Sequence, residues 1–263
     1  MPLTLATTDL STDRSETPLV ILHGLFGQRK NWTSLQKQFA RSRPAIAADL
    51  RNHGESPWDD AMDYPAMAAD VAALIEGVPG GGPADVLGHS MGGKVAMMLA
   101  LTRPELVARL IVVDIAPAPS TAGGLAAYAE AMRALDLSGV TRRGDADSML
   151  ADAVPDQSVR AFLLTNLARE GEGYGWQPNL DVLAARMDDI EGFPEPEDGA
   201  TPYEGETLFI AGGKSDYVGP QHQAAIDRLF PRARIDTIPS AGHWVHAEAP
   251  RPFMETALGF LDD

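Results

Sequence analysis

The stretch Leu87–Lys94, "LGHSMGGK", decides how the rest of the chain is read. Within it Gly88-His89-Ser90-Met91-Gly92 fits G-x-S-x-G. It follows a short apolar run, "ADVLG" (Ala84–Gly88), and opens a helical pattern, "VAMMLALTRPEL". That strand–turn–helix setting is what the pattern needs if Ser90 is a nucleophile. A serine on so sharp a turn projects its hydroxyl clear of the backbone, and the flanking glycines let strand and helix pass with no Cβ between them. The helix starts beneath the serine, so its unpaired N–H groups face any negative charge that develops there. The plain alternative is a turn serine in a glycine-rich loop.

On either side of this turn, apolar runs bounded by turn residues alternate with helical patterns. The other runs are "PLVILH" (Pro18–His23), "PAIAADL" (Pro44–Leu50), "LIVVDI" (Leu110–Ile115), "TLFIAG" (Thr207–Gly212) and "ARIDTIP" (Ala233–Pro239). Most are continuous rather than alternating, as in strands covered on both faces of a parallel sheet. Asn31 precedes "WTSLQKQFA" as an N-cap, and Pro65 opens "PAMAADVAALIEG", which stops at Gly77. The alternation predicts a doubly wound α/β sheet. Between Ile115 and Thr207 lie about ninety residues with no strong strand signal but helical patterns such as "LAAYAEAMRALDL" and "SVRAFLLTNLARE". A structureless loop of that length is improbable, so a helical insertion is expected. The division is a core of residues 1–116 and 207–263 with a helical cap, or lid, at 117–206. "GVPGGGP" (Gly77–Pro83) reads as a connector.

An activated serine needs a base. Of six histidines, His243 lies in "PSAGHWVHAEAP", a small-residue loop between the last strand and the final helix, where its ring can reach over the sheet's edge. His246 is its rival, better suited to packing the last helix. His23 and His53 sit in turns after strands and are expected to shape those loops; His89 is the variable position of the Ser90 turn, and His222 reads as an exposed helix residue. The order Ser…Asp…His suits an α/β hydrolase. Two backbone N–H groups should hold the oxyanion: Met91, after the nucleophile, and Leu25, after the His-Gly of "ILHGLFGQ", with Phe26 as the alternative one position on.

The motifs "HGLFG", "DLRNHGES", "GHSMGGK", "VVDIAP", "GGKSDYV" and "GHWVHAE" occur in this order. Together they resemble the small serine esterases of the α/β-hydrolase superfamily, in the group of bacterial YbfF-type esterases and their ABHD11-like relatives. The resemblance spans roughly 18–116 and 207–263 and is far weaker across the insertion. Two acids compete for the third catalytic place. Asp216 follows the penultimate strand in G-x-x-D, where most α/β hydrolases keep it. Asp114 ends the preceding strand. The resemblance favours Asp114, with Ser215 adding a hydrogen bond near the histidine. The bland reading of Asp114 is a loop-shaping carboxylate, and the two acids sharing the task stays open.

The bulk numbers narrow the chemistry. With 263 residues, 44% of them apolar, the chain can bury a full core. A net charge of −16 opposes nucleic acid or an anionic membrane as partner. The absence of cysteine excludes disulfides, thiolate metal sites and a cysteine nucleophile. Neither a secretory signal nor a membrane span is legible, so a cytoplasmic protein is expected. "GGKS" is no P-loop, because Leu208 stands where the first glycine belongs, and Lys214 reads as a surface residue. No cofactor or metal is called for. The expected partner is a small ester: neutral, short to medium chain, with Tyr128, Met132, Phe162, Leu163, Trp176 and Met187 as candidates to line an acyl pocket. The acid-rich stretch Asp181–Glu206 is expected as a solvated face; at the entrance it would disfavour anionic substrates such as acyl-CoA. Thioester, lactone or carbon–carbon hydrolysis on the same site is the alternative, and a non-catalytic binding protein the more distant one.

Overall fold

The structure is a computed structural model that describes residues 1–10, 16–78, 82–120, 124–194 and 201–262. Parts of the Gly77–Pro83 connector and of the acidic stretch (Glu195, Glu197 and Asp198) lie outside the described residues. A seven-stranded sheet organises the molecule. Its strands are β1 (Thr7–Asp9), β2 (Leu19–Leu22), β3 (Ala45–Ala48), β4 (Ala84–His89), β5 (Val107–Val113), β8 (Glu206–Gly212) and β9 (Ala233–Ile238), in the order β1-β3-β2-β4-β5-β8-β9. All neighbours are parallel except β1, which runs antiparallel on the edge beside β3. Each of the six expected strands is present, and β1, three residues with no apolar run, is the addition.

Side chains alternate across a strand, so consecutive residues feed opposite cores. Val20, Leu22, Leu110, Val112 and Phe209 enter one core, with α2 (Tyr64–Glu76) and α3 (Met91–Thr102). Leu19, Ile21, Ile111, Val113, Leu208 and Ile210 enter the other, with α1 (Thr33–Phe39) and α11 (Pro250–Asp262). Two covered faces require the continuous apolar strands seen in the sequence. Asp63 caps α2, its side chain accepting from Ala66 N at 2.8 Å, and Gly77 ends it. Asn31 does not cap α1. It sits in a short 3₁₀ turn, Arg29–Trp32, and its side chain accepts from Gln28 N at 2.7 Å.

Between β5 and β8 lie α4 (Leu125–Arg133), α5 (Arg143–Leu150), α6 (Gln157–Leu163), α7 (Leu180–Ala185) and α8 (Met187–Glu191). They are short, and they do not make the segment purely helical. The expected helix "SVRAFLLTNLARE" stops at Leu163, passes through a 3₁₀ turn, and gives way to an antiparallel hairpin of β6 (Leu167–Glu170) and β7 (Gly173–Trp176). Gly171 turns the hairpin with φ +59, a conformation glycine adopts without a Cβ penalty. The chain closes with α9 (Gln223–Leu229), α10 (Val245–Glu248) and α11. Among the described residues no helix is long and apolar enough to cross a membrane.

Candidate active site

The turn between β4 and α3 is held by contacts that admit only glycine. A Cβ on Gly88 would collide with the carbonyl of Gly92, and one on Gly92 would lie 2.5 Å from the carbonyl oxygen of His23. Ser90 itself has φ 53 and ψ −121. For a residue with a side chain that backbone costs about 1–3 kcal/mol, which the surrounding structure must supply. Phe26 (φ 57) and Asp114 (φ 50) share the unusual sign, so three of the four non-glycine residues with positive φ among those described border one site.

His243 stands between β9 and α10. Its Nε2 lies 3.0 Å from Ser90 Oγ, and its Nδ1 lies 2.8 Å from Asp114 Oδ2. Asp114 is fully buried; its Oδ1 accepts from Gly212 N at 2.8 Å, and Ser215 Oγ donates to its Oδ2. Tyr217 stacks on the His243 ring with centroids 4.0 Å apart. Asp216, the competing acid, is placed elsewhere. It is exposed and lines a separate cavity with Ser120 and His222. Among the described residues no hydrogen bond joins it to His243.

The loop after β2 crosses directly over Ser90: a Cβ on Gly24 would lie 3.1 Å from that of Ser90. The N–H of Phe26 is already spent, donating to His53 Nε2 at 3.2 Å, and its carbonyl accepts from Asn166 Nδ2 at 2.6 Å. Among the described residues no protein acceptor takes the Leu25 N–H. Met91 opens α3, ahead of the first intrahelical bonds that Gly93 and Lys94 make to the Ser90 carbonyl.

Two histidines brace this loop reciprocally. His23 Nδ1 donates to Gly24 O at 2.8 Å and its Nε2 accepts from Leu50 N at 3.0 Å. His53, on the opposite loop, donates from Nδ1 to Arg51 O at 2.9 Å and accepts the Phe26 N–H at Nε2. Each ring must be neutral to accept, and burial enforces this: the pKa is lowered to about 4 for His23 and about 3 for His53. Below His243, the buried His89 donates from Nε2 to the His243 carbonyl at 2.9 Å. His246 stacks on Trp32 at 4.2 Å, and burial lowers its pKa to about 3.

A cavity of about 220 Å³ opens over Ser90. Of the expected lining residues, Tyr128, Phe162 and Leu163 border it, joined by Leu125, Val159 and Trp244. Met132 and Met187 are buried in the main core, and Trp176 packs against it, because their helix or strand faces turn inward. Lys94 is the residue that sequence reading missed. It is buried under the segment between β5 and β8, donating to Ser120 Oγ (2.8 Å), Glu191 O (2.8 Å) and Gly192 O (2.7 Å). Burial lowers its pKa to about 7. Its signal was available: one lysine at the head of an otherwise apolar helix.

Fold and site together define a hydrolase architecture, and comparison with known proteins agrees. The family model described as "alpha/beta hydrolase fold" matches residues 17–250. A mouse protein named sn-1-specific diacylglycerol lipase ABHD11 is 43% identical over 99% of this chain and 86% of its own length. Esterase YbfF of Escherichia coli is 32% identical over the full length of both. A solved marine microorganism esterase superposes with TM-score 0.92 at 33% identity, covering 98% of this chain and 99% of its own. The chain belongs to the α/β-hydrolase family and is an enzyme of the hydrolase class.

Proposed function

We propose that this protein is a serine carboxylesterase acting on neutral, short- to medium-chain esters. The observation that carries the proposal is the continuous relay Ser90–His243–Asp114 at 3.0 and 2.8 Å. His243 Nε2 takes the proton of Ser90, whose oxygen attacks the ester carbonyl. The N–H groups of Leu25 and Met91 hold the oxyanion; losing one such donor costs on the order of 3 kcal/mol in the transition state. Protonated His243 then gives its proton to the departing alcohol, and water repeats the sequence on the acyl-enzyme. Asp114 holds the tautomer with the proton on Nδ1 and stabilises the charged ring, while Ser215 and Gly212 fix the carboxylate. Residues 117–206 act as a cap on a core of 1–116 and 207–263, and their apolar side chains at the cavity select the acyl group.

Relatives carry the names esterase and diacylglycerol lipase, which supports an ester as substrate, and this chain's net charge of −16 favours an uncharged one. The test is hydrolysis of a 4-nitrophenyl ester series beside acyl-CoA thioesters, with Ser90→Ala as control. Faster cleavage of the thioesters than of any ester would reject the substrate class. Labelling of wild type but not Ser90→Ala by a fluorophosphonate probe is expected of the nucleophile, and absence of labelling would reject it.

A further inference from the structure

The cavity over Ser90 is small for an ester of any length. A cavity of about 150 Å³ lined by aliphatic and Phe side chains accommodates one benzene. By proportion, the 220 Å³ here holds about nine non-hydrogen atoms. The ester group takes three of them, leaving room for roughly six carbons. Behind one wall lies a larger space, a groove of about 620 Å³ beside α1 and α6, with Ser34, Gln38, Ser158 and Pro250 on its sides. Asn31, Phe162, Trp244 and His246 line both spaces.

Phe162 and Trp244 form the partition. Their ring centroids are 5.7 Å apart and the planes are tilted by 54°. The backbone on both sides is fastened: Glu248 Oε1 accepts the Trp244 N–H at 3.1 Å, and Thr165 Oγ1 donates to the Phe162 carbonyl at 2.7 Å. Joining the two spaces therefore requires only that one half-buried ring turn about its side-chain bonds. The groove's lining contains no lysine or arginine. Its carboxylate, Glu248, is occupied by the N–H groups of Gly242 and Trp244. A phosphate or carboxylate would find no cation there, whereas an uncharged chain would meet the Leu35, Phe162, Trp244 and Pro250 carbons.

We infer that this groove is a second substrate subsite, which receives the far end of an unbranched alkyl chain of the ester past the Phe162–Trp244 pair. The inference rests on the esterase reading and extends it to chain length. Methylenes beyond the inner cavity must displace the pair before they are buried. Each one that is buried is worth about fourfold in binding. In wild type the specificity constant should therefore climb with chain length until about six carbons, pause over the methylenes that displace the pair, and climb again for longer chains.

The experiment measures kcat/KM for 4-nitrophenyl butyrate and decanoate (the acyl side) and for ethyl and decyl butyrate (the alcohol side). Phe162→Ala should raise the long-to-short ratio at least tenfold on the side that uses the groove. Ser158 lies one helical turn from Phe162 on the exposed face of α6. Ser158→Trp added to Phe162→Ala should cancel the gain. A binding arm uses Ser90→Ala protein with 1-decanol and 1-butanol: the preference for decanol should rise with Phe162→Ala and fall with Ser158→Trp. If no ester is cleaved by wild type yet the decanol preference follows the variants, the esterase reading fails and the subsite stands. If esters are cleaved but neither ratio nor preference moves, or the double variant keeps the gain, the subsite is overturned.

Discussion

His243 has one Nδ1 proton to place, and Asp114 receives it from a fully buried position with two further donors on its carboxylate. On the proposed mechanism, Asp114→Asn turns an amide N–H₂ or a neutral carbonyl toward that nitrogen and loses control of the tautomer. The kcat should fall on the order of 10³–10⁴-fold, as in the serine-protease precedent. Asp216→Asn should change it little, since Asp216 is exposed and lines another cavity. Kinetics of the two variants decide between them, and a large loss confined to Asp216→Asn would reverse the assignment. The sequence left this choice open for a physical reason: both acids follow strands at the same sheet edge, and only the fold shows which carboxylate is under the ring. His53 supplies a second residue-scale prediction. His53→Leu strands the buried Phe26 N–H, which costs about 1–3 kcal/mol of stability, and it frees the loop that carries Leu25. His53→Gln keeps an acceptor. Urea midpoints and kcat should both fall in the leucine variant and recover in the glutamine variant; equal behaviour of the two would remove His53 from the brace.

At the scale of elements, α3 does two jobs. Its first turn presents Ser90, and one turn later Lys94 reaches up to both ends of the segment between β5 and β8. All three Nζ protons are used there, on Ser120 Oγ in the stretch after β5 and on the Glu191 and Gly192 carbonyls at the end of α8. Ser120 N also donates to Glu191 O at 2.7 Å, so the two ends are tied to each other as well as to α3. Lys94→Met keeps the packing volume but leaves the Gly192 carbonyl without its donor and Glu191 O with the Ser120 N–H alone, and should cost about 1–3 kcal/mol. Limited proteolysis should then cut first within 117–206, before the sheet is attacked. Cleavage that begins in the sheet, or a protein as stable as wild type, would contradict the clamp. The strands were legible because burial on both faces leaves a continuous apolar run, and the Ser90 turn because its glycines are demanded by collisions. The hairpin β6–β7 was not legible. Its strands are four residues each, half exposed, and follow an apolar helix with no break stronger than Thr165-Asn166.

Across the whole molecule, four histidines are buried around one site, and burial lowers the pKa of each: to about 4 for His23, to about 3 for His53 and His246, and well below the usual value for His89. In the unfolded chain they titrate near 6.5. Below that pH the unfolded state takes up protons that the folded state refuses, so the folded state loses stability as pH falls. The loss begins near 6.5 and continues down to about 4 for His23 and about 3 for His53 and His246. Each group contributes about 1.4 kcal/mol per pH unit in its window, so these three together amount to about 4 kcal/mol per unit. Against a typical stability of about 5–15 kcal/mol, unfolding by about pH 4 is expected. Carboxylates act lower: Glu55, held down to about 2 by Lys30 and Arg29, loses its contribution only as pH falls below the usual carboxylate range. In the interval from pH 6.5 to 5 the histidines therefore supply most of the change. His246→Phe keeps an aromatic ring on Trp32 and removes one titrating group, so the fall in urea midpoint between pH 7 and 5 should shrink by about a third of the three-histidine share. If the variant loses stability with pH as steeply as wild type, His246 is not neutral in the folded protein, and the buried ring has found a proton and a partner for it.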